Sequence, residues 1–374
     1  VVNKGTISDG TFNGEVVNEG GTISGGTFNG VVTNYGTIAE GVVSGITVTY
    51  KANGAHYATQ IVPSGSTAIK PVDPTNSAGK EFLGWFKADG TEYDFTRTVT
   101  EDMTLTAKFA TVTKIVANQS ELAAALANTN VDIVQLYGNF TIDTTLTVSR
   151  EVTLDLNGSV LEMTGRGSVF AIKDGGNLTL VDSYPIASYR FTPNADGLWK
   201  WDTSGTKTVN GGVIYGGTGT EKYNAAYGGG VLIEDGGQFT MNGGSIVGCQ
   251  AIGQNSGAGG GVKVEGSEKS GIFEMNGGAI IGCVANYGGG VETDYYSDTI
   301  YGKFIMNGGV IDSCVATERE GGGVSASAPF VMEGGEIKNC VATNGEGGGV
   351  FLGSSSSPHT LNGTIDAGTA TDQK

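Results

Sequence analysis

Histidine occurs twice in this 374-residue chain, cysteine four times, and lysine and arginine together 21 times. Each shortage closes a class of function. The histidines, His56 and His359, fall in different regions, so a Ser/His/Asp set has little to build on. The cysteines, Cys249, Cys283, Cys314 and Cys340, include no C-x-x-C pair and no Cys/His cluster, which removes the usual zinc signatures. Set against 38 acidic residues, the basic ones leave a formal charge of −17. That balance disfavours nucleic acid as a partner, and contact with an anionic membrane surface as well. No apolar run approaches the roughly 20 residues that a membrane helix needs. The sequence shows no initiator methionine, signal peptide or C-terminal anchor. It opens at VVNKGTI inside a repeat, as an excised piece of a longer protein would.

What the chain has in excess is glycine, 65 residues of it. With the seven prolines this is about a fifth of the sequence, below the share expected of disorder. Strand-forming Val, Ile, Thr, Tyr and Phe are plentiful, so the glycines punctuate strands at turns. Residues 1–45 repeat on a short period: GTISDGTFNGEVVN at Gly5 is answered by GTISGGTFNGVVTN at Gly21, and a third copy starts at Gly36. Apolar residues alternate with Gly, Asn, Ser or Thr, the period-two pattern of strands. A fixed period of strands predicts a short β-solenoid, each turn resting on the next.

Residues 46–110 carry no repeat. VTYKANG, the P-x-x-P of Pro71 to Pro74, GKEFLGWFKADGTEYDF and VTEDMTLTAKF together resemble the internalin-type B-repeat, also called the Listeria–Bacteroides repeat. The resemblance implies a small β-grasp-like module of the kind used as a spacer in secreted bacterial surface proteins. The residues agree with it: Phe82, Trp85, Phe86, Tyr93 and Phe95 are enough for a small core, and a domain of this size needs its large aromatics inside.

Residues 111–374 begin with Asn118 and Glu121 in capping-box spacing ahead of an Ala/Leu-rich segment, which predicts a helix of about ten residues. Short strands come next, in series. One helix and then many strands resembles the N-terminal cap and first turns of a right-handed parallel β-helix of the pectate-lyase-like kind. The whole is therefore expected to be all-β. Further along, MNGGSIVGCQA at Met241 recurs as MNGGAIIGCVA at Met275, MNGGVIDSCVA at Met306 and MEGGEIKNCVA at Met332. GGGV recurs at Val231, Val262, Val291, Val324 and Val350. The methionines lie 34, 31 and 26 residues apart, and the cysteines keep the same intervals. We read the phrase as one solenoid turn with three strands, around F-x-M, I-x-x-C-x-A and GGGV. Met, Ile, Cys, Ala and Val then form interior columns, the thiols remaining free. Asn242, Asn276 and Asn307 form a corner ladder in αL geometry, each amide bonding the next turn.

The glycine runs lead into valine strands and not into a helix, so they do not make a phosphate loop. Chemistry is better sought in the residues on the C-terminal side of GGGV. Glu234, Asp235, Glu265, Glu292 and Asp294 fall together on successive turns, with Lys263 and Lys269 nearby. The pattern is that of a solvated acidic edge, or of a calcium site at Glu292 and Asp294, or of the carboxylate pair of a sugar-cleaving enzyme. No residue is assigned a catalytic role. Two aromatic groups are candidates for ligand binding: Tyr189, Phe191, Trp199 and Trp201 in the insert at 183–205, and Tyr295, Tyr296 and Tyr301 in the loop DYYSDTIYG. The competing reading of the insert is a flap packed over the solenoid flank. The resemblances imply an extracellular, bacterial cell-surface protein acting in adhesion or as a stalk, with glycan or a host or matrix protein as partner. A polysaccharide-active enzyme and a ligand-free spacer are the alternatives.

Overall fold

The computed structural model describes the chain except residues 77–78, 223, 254–255, 354–358, 367 and 371–374. The described residues form one helix and many short strands, most of them in parallel sheets, and the chain divides into two compact units, Val1–Val112 and Thr113–Lys374.

In the first unit the 16-residue period becomes stacked turns. Val2–Asn3, Val16–Asn18 and Val32–Asn34 pair in parallel, as do Thr6–Ile7, Thr22–Ile23 and Thr37–Ile38. Val16, Ile23 and Val32 fill the interior, and Phe12 stacks on Phe28 with ring centroids 5.0 Å apart. Asn3 donates to Asn18 at 2.8 Å and Asn18 to Asn34 at 2.6 Å, a column of side-chain amides along the stack. The last turn does not end in an open edge. Ala55–Val62 pairs antiparallel with Val32–Asn34, so solenoid turns and the adjoining module share one seven-stranded sheet. Within the module, Ile46–Ala52 lies between Ala55–Val62 and Met103–Phe109, parallel to the latter, and Phe82–Phe86 completes the order. Trp85 is buried against Tyr50, Tyr57 and Phe82. Among the described residues no helix joins the two halves of this sheet; the connection carries Pro63, Pro71 and Pro74, which deny a helix its backbone donors.

The second unit starts with a strand, Thr113–Val116, and the helix Gln119–Ala127. Asn118 caps the helix by accepting from the Glu121 amide at 3.0 Å, while the Glu121 carboxylate reaches back to the Ala117 amide at 2.9 Å. At the other end Arg150 donates at 2.7 Å to the Leu126 carbonyl, an acceptor that the last turn leaves open, and at 2.9 Å to the Ala125 carbonyl, which also accepts from the Asn128 amide. Leu122, Ala125 and Leu126 are buried in the same core as the first strands.

From there the chain winds through parallel sheets of nine, eight and seven strands. The repeated phrase is in register across every turn. Phe239, Phe273, Phe304 and Phe330 stack with centroids 5.1, 4.8 and 4.9 Å apart. The methionine, isoleucine, cysteine and alanine columns of the phrase are buried, as are the first four members of the valine column, and the four cysteines are free. Burial pushes the Cys283 and Cys314 thiols well above the ordinary value, so they act as small apolar groups.

Two details depart from the sequence reading. The segment I-x-x-C-x-A is two strands, not one: Ser245–Val247 and its counterparts belong to the eight-stranded sheet, while Gln250–Ala251, Val284–Ala285, Val315–Ala316, Val341–Ala342 and Thr369–Ala370 form a separate five-stranded sheet. The cause is a corner at the residue before each cysteine, where Gly248, Gly282, Ser313 and Asn339 all have φ between 53° and 58°. The asparagine ladder exists, Asn276 donating to Asn242 at 3.0 Å and Asn307 to Asn276 at 2.8 Å, but not in αL geometry. The left-handed residue of that corner is the second glycine of NGG: Gly244, Gly278 and Gly309. Left-handed backbone costs a residue with a Cβ about 1–2 kcal/mol, partly offset by the extra freedom glycine has when unfolded. Ser313→Gly is therefore expected to stabilise the unit by about 0.5–1 kcal/mol, read as a higher urea midpoint.

Early turns are tied by Asp155, which accepts from the Asn157 and Ser183 amides at 2.9 Å and from the Gln135 side chain at 2.8 Å. Burial raises its carboxyl, but these bonds outweigh burial and hold it below the usual aspartate range. A depressed folded value gives stability that is present above the ordinary aspartate value of 3.8 and lost as pH falls through the folded value. Asp155→Asn should lower stability at neutral pH by about 1–3 kcal/mol, read as a lower denaturation midpoint, and the gap to wild type should close on acidification.

Candidate functional site

Strand alternation decides what the GGGV strands present outward. In Val262–Val264 the valines point into the core, so Lys263 and Glu265 point out. Register then builds two outward columns. Leu232, Lys263, Glu292 and Ser325 face one another on successive turns. Two residues further on, Lys173, Glu234, Glu265 and Asp294 make a second column, the first closed by a lysine where the next turns carry acids. The residue before each GGG run folds over this face. Gly228 bonds the Ala258 carbonyl and Gly259 the Tyr287 carbonyl, so Tyr227, Ala258 and Tyr287 form a wall in which a small residue separates two rings.

Between wall and columns lies a cleft of about 960 Å³, lined by Tyr227, Tyr287, Lys222, Glu234, Glu265 and Asp294 among others. Many of its charges are paired. Lys222 sits 2.9 Å from Glu265 and 3.7 Å from Glu234; Lys173 also meets Glu234, and Lys269 meets Asp174. Asp235 accepts from the Ser267 amide and hydroxyl at 2.7 and 2.6 Å. Burial raises the Glu265 carboxyl, an effect that Lys222 reduces without cancelling. Burial also pushes the Tyr287 hydroxyl up to about 12, with the Glu292 charge adding to it.

At the bottom of the cleft Lys263 is fully buried and touches both Glu292 and Asp294. Its ammonium also lies 5.8 Å from the centre of the Tyr227 ring. Two carboxylates share one ammonium. Burial would lower the lysine, but Glu292 and Asp294 outweigh it and hold Lys263 above its ordinary value. Glu292, buried and beside Asp294, is pushed up to about 7 against the pull of Lys263. The two acids expected as calcium ligands thus already have a cation between them, a lysine from the neighbouring turn, and they do not fit a calcium ion as well.

The acidic residues after GGGV are together as the sequence suggested. The aromatic candidates divide. Tyr189, Phe191, Trp199 and Trp201 form a cluster with Val160, Val209, Val213 and Val247, on an antiparallel sheet of Ser188–Pro193, Trp199–Trp201 and Lys207–Asn210. Phe191 and Trp199 are buried there and offer no ring to a ligand. Residues 189 and 191, and 199 and 201, share a face by strand alternation, and that face is turned to the solenoid. The Trp199 amide donates to the Gly282 carbonyl at 3.0 Å, and a Cβ on Gly282 would stand 2.1 Å from the Trp199 ring. In the other loop Tyr295 and Tyr301 bridge antiparallel and Tyr296 is exposed. Sequence reasoning missed Lys173, Lys222, Tyr227 and Tyr287. Signals existed for three: each tyrosine directly precedes GGG, and FAIKDGG aligns with VLIEDGG, placing Lys173 over Glu234. Lys222 is brought in by a hairpin, Thr220–Lys222 with Ala225–Tyr227, that no repeat announces.

A model of the Listeria-Bacteroides repeat domain matches residues 47–108. That repeat is found in bacterial surface proteins, and the chain is in keeping with that class. No curated protein and no solved structure matches the chain. No helix among the described residues is long and apolar enough to cross a membrane.

Proposed function

We propose that the chain is part of an extracellular adhesin whose β-helix binds a hydroxyl-rich glycan in the cleft on the outer face of the GGGV strands. The observation that carries this reading is the pair of tyrosines two turns apart, Tyr227 and Tyr287, with Ala258 between them. In-register turns put them roughly 10 Å apart, about the length of a disaccharide repeat, so that the two rings meet every second sugar of an extended chain. Around them the ion-paired lysines and carboxylates supply fixed donors and acceptors, as a small number of placed polar groups does in ligand sites. Tyr296, on the loop that continues from Asp294, extends the aromatic surface. The helix Gln119–Ala127 serves as the cap of the stack in this reading.

Binding to an array of host and plant glycans tests this. Tyr227→Ala with Tyr287→Ala should weaken a bound glycan by about tenfold or more, while Trp199, being buried, contributes only through folding. Unchanged binding in the tyrosine variant removes the cleft from the reading. Shortening of a bound polysaccharide, lost in Glu265→Gln, would replace the adhesin by an enzyme at the same cleft.

A further inference from the structure

The tyrosines carry the ligand reading, and the buried ions beneath them have a separate origin. Lys263 and Glu292 are register partners on adjacent turns, so the sheet itself holds the amine against the carboxyl group. Both side chains are removed from solvent, at 1% and 3% exposure, whereas Asp294, which touches the same nitrogen, is 42% exposed toward the cleft. A dehydrated ion pair of this kind returns less than its desolvation costs. Tyr287, Tyr227, Glu265 and Glu320 face the cluster, and none of them supplies a second cation.

We infer that Lys263 and Glu292 are a self-modification site, at which the lysine Nζ and the glutamate Cδ become joined by an amide bond that ties one turn of the solenoid to the next. Within the pair the ammonium passes one proton to the Glu292 carboxylate, and the freed amine attacks Cδ of the resulting acid while Asp294 takes a second proton from the nitrogen. The new N–C bond forms as the C–O bond to the hydroxyl breaks. Asp294 returns its proton to that leaving hydroxyl, which departs as water through the cleft. Ammonium and carboxylate become amide and water, with no oxidant, cofactor or activating group required. Glu292 is the acyl partner and not Asp294, because its carbonyl is shielded from the water that would reverse the step. Burial raises the Glu292 carboxyl, which favours its acid form. The product replaces two buried charges by a neutral group whose N–H still has the Asp294 carboxylate to donate to.

The test is the intact mass of the purified, denatured full chain, and then proteolysis. The expected result is a mass lower than the sequence mass by one water, and a branched peptide joining the segments that hold residues 263 and 292. Lys263→Arg should return the full mass. A wild-type chain at full mass, with the two segments recovered as separate peptides, overturns the inference. So does a lost water that fragmentation places at Asp294 or elsewhere. In Asp294→Ala, which keeps both joined residues, the linked fraction at equal times should fall at least tenfold; an unchanged fraction would remove Asp294 from the step.

Discussion

Lys263→Met is expected to destabilise the β-helix unit by about 3–5 kcal/mol relative to the chain with the ion pair unlinked, the usual cost of leaving a buried charge without its partner. The substitution leaves Glu292 buried with Asp294 as its neighbour, so two acids confront each other where one ammonium had stood between them. The loss is not a matter of volume, since methionine fills much of the space of the lysine stem. A second substitution shows this. Lys263→Met with Glu292→Leu should recover most of the loss, because it turns the site into what the chain already has one turn earlier, where Leu232 occupies the same register position fully buried. Denaturant midpoints of the two single variants and the double variant form a cycle, and an additive result would mean that the two side chains do not interact.

Gly289→Ala is expected to cost more than about 3 kcal/mol, beyond the usual range for added core methyl groups, because the obstacle is backbone. A Cβ there would stand 2.5 Å from the Gly322 carbonyl oxygen and equally near the Val315 carbonyl. Gly289 also donates to Gly321 and accepts from Gly261, so its neighbours cannot withdraw without breaking the ladder above and below. Gly260 and Gly322 repeat these contacts one turn away on either side. Alanine at Gly138, where nothing lies near but φ is +77°, should cost only the conformational penalty, about 1–2 kcal/mol. Loss of far-UV signal at a lower temperature in the first variant than in the second separates close approach from backbone conformation.

The columns were legible in the sequence because register fixes them. Once Met241, Met275, Met306 and Met332 are aligned, every residue at a constant offset must share a side of the sheet, and the inward ones are apolar. The corner before each cysteine was not legible. Two of its four turns use glycine, but Ser313 and Asn339 hold the same left-handed backbone with a Cβ, so no single residue type marks the position. The candidate site shows the same split. Its acidic column comes from register, and Tyr227 and Tyr287 each directly precede a GGG run, whereas Lys222 comes from a hairpin outside the repeated phrase, whose path depends on how far that loop folds back. The insert misled for a physical reason: aromatics two apart on a strand share one face, and four of them on paired strands make a surface that must be covered.

The turns keep one set of inner columns although the phrase recurs after 34, 31 and then 26 residues. Length is thus absorbed outside the columns, and each coil is an interchangeable part whose two flat faces match those of any other. Loss or duplication of one whole coil, cut at the same column on both sides, would leave phenylalanine on phenylalanine and asparagine on asparagine. It would also bring new residues to the outer face. Such a protein can change its reach, and the pattern it displays, by counting coils, while the packing that holds it together is left as it was.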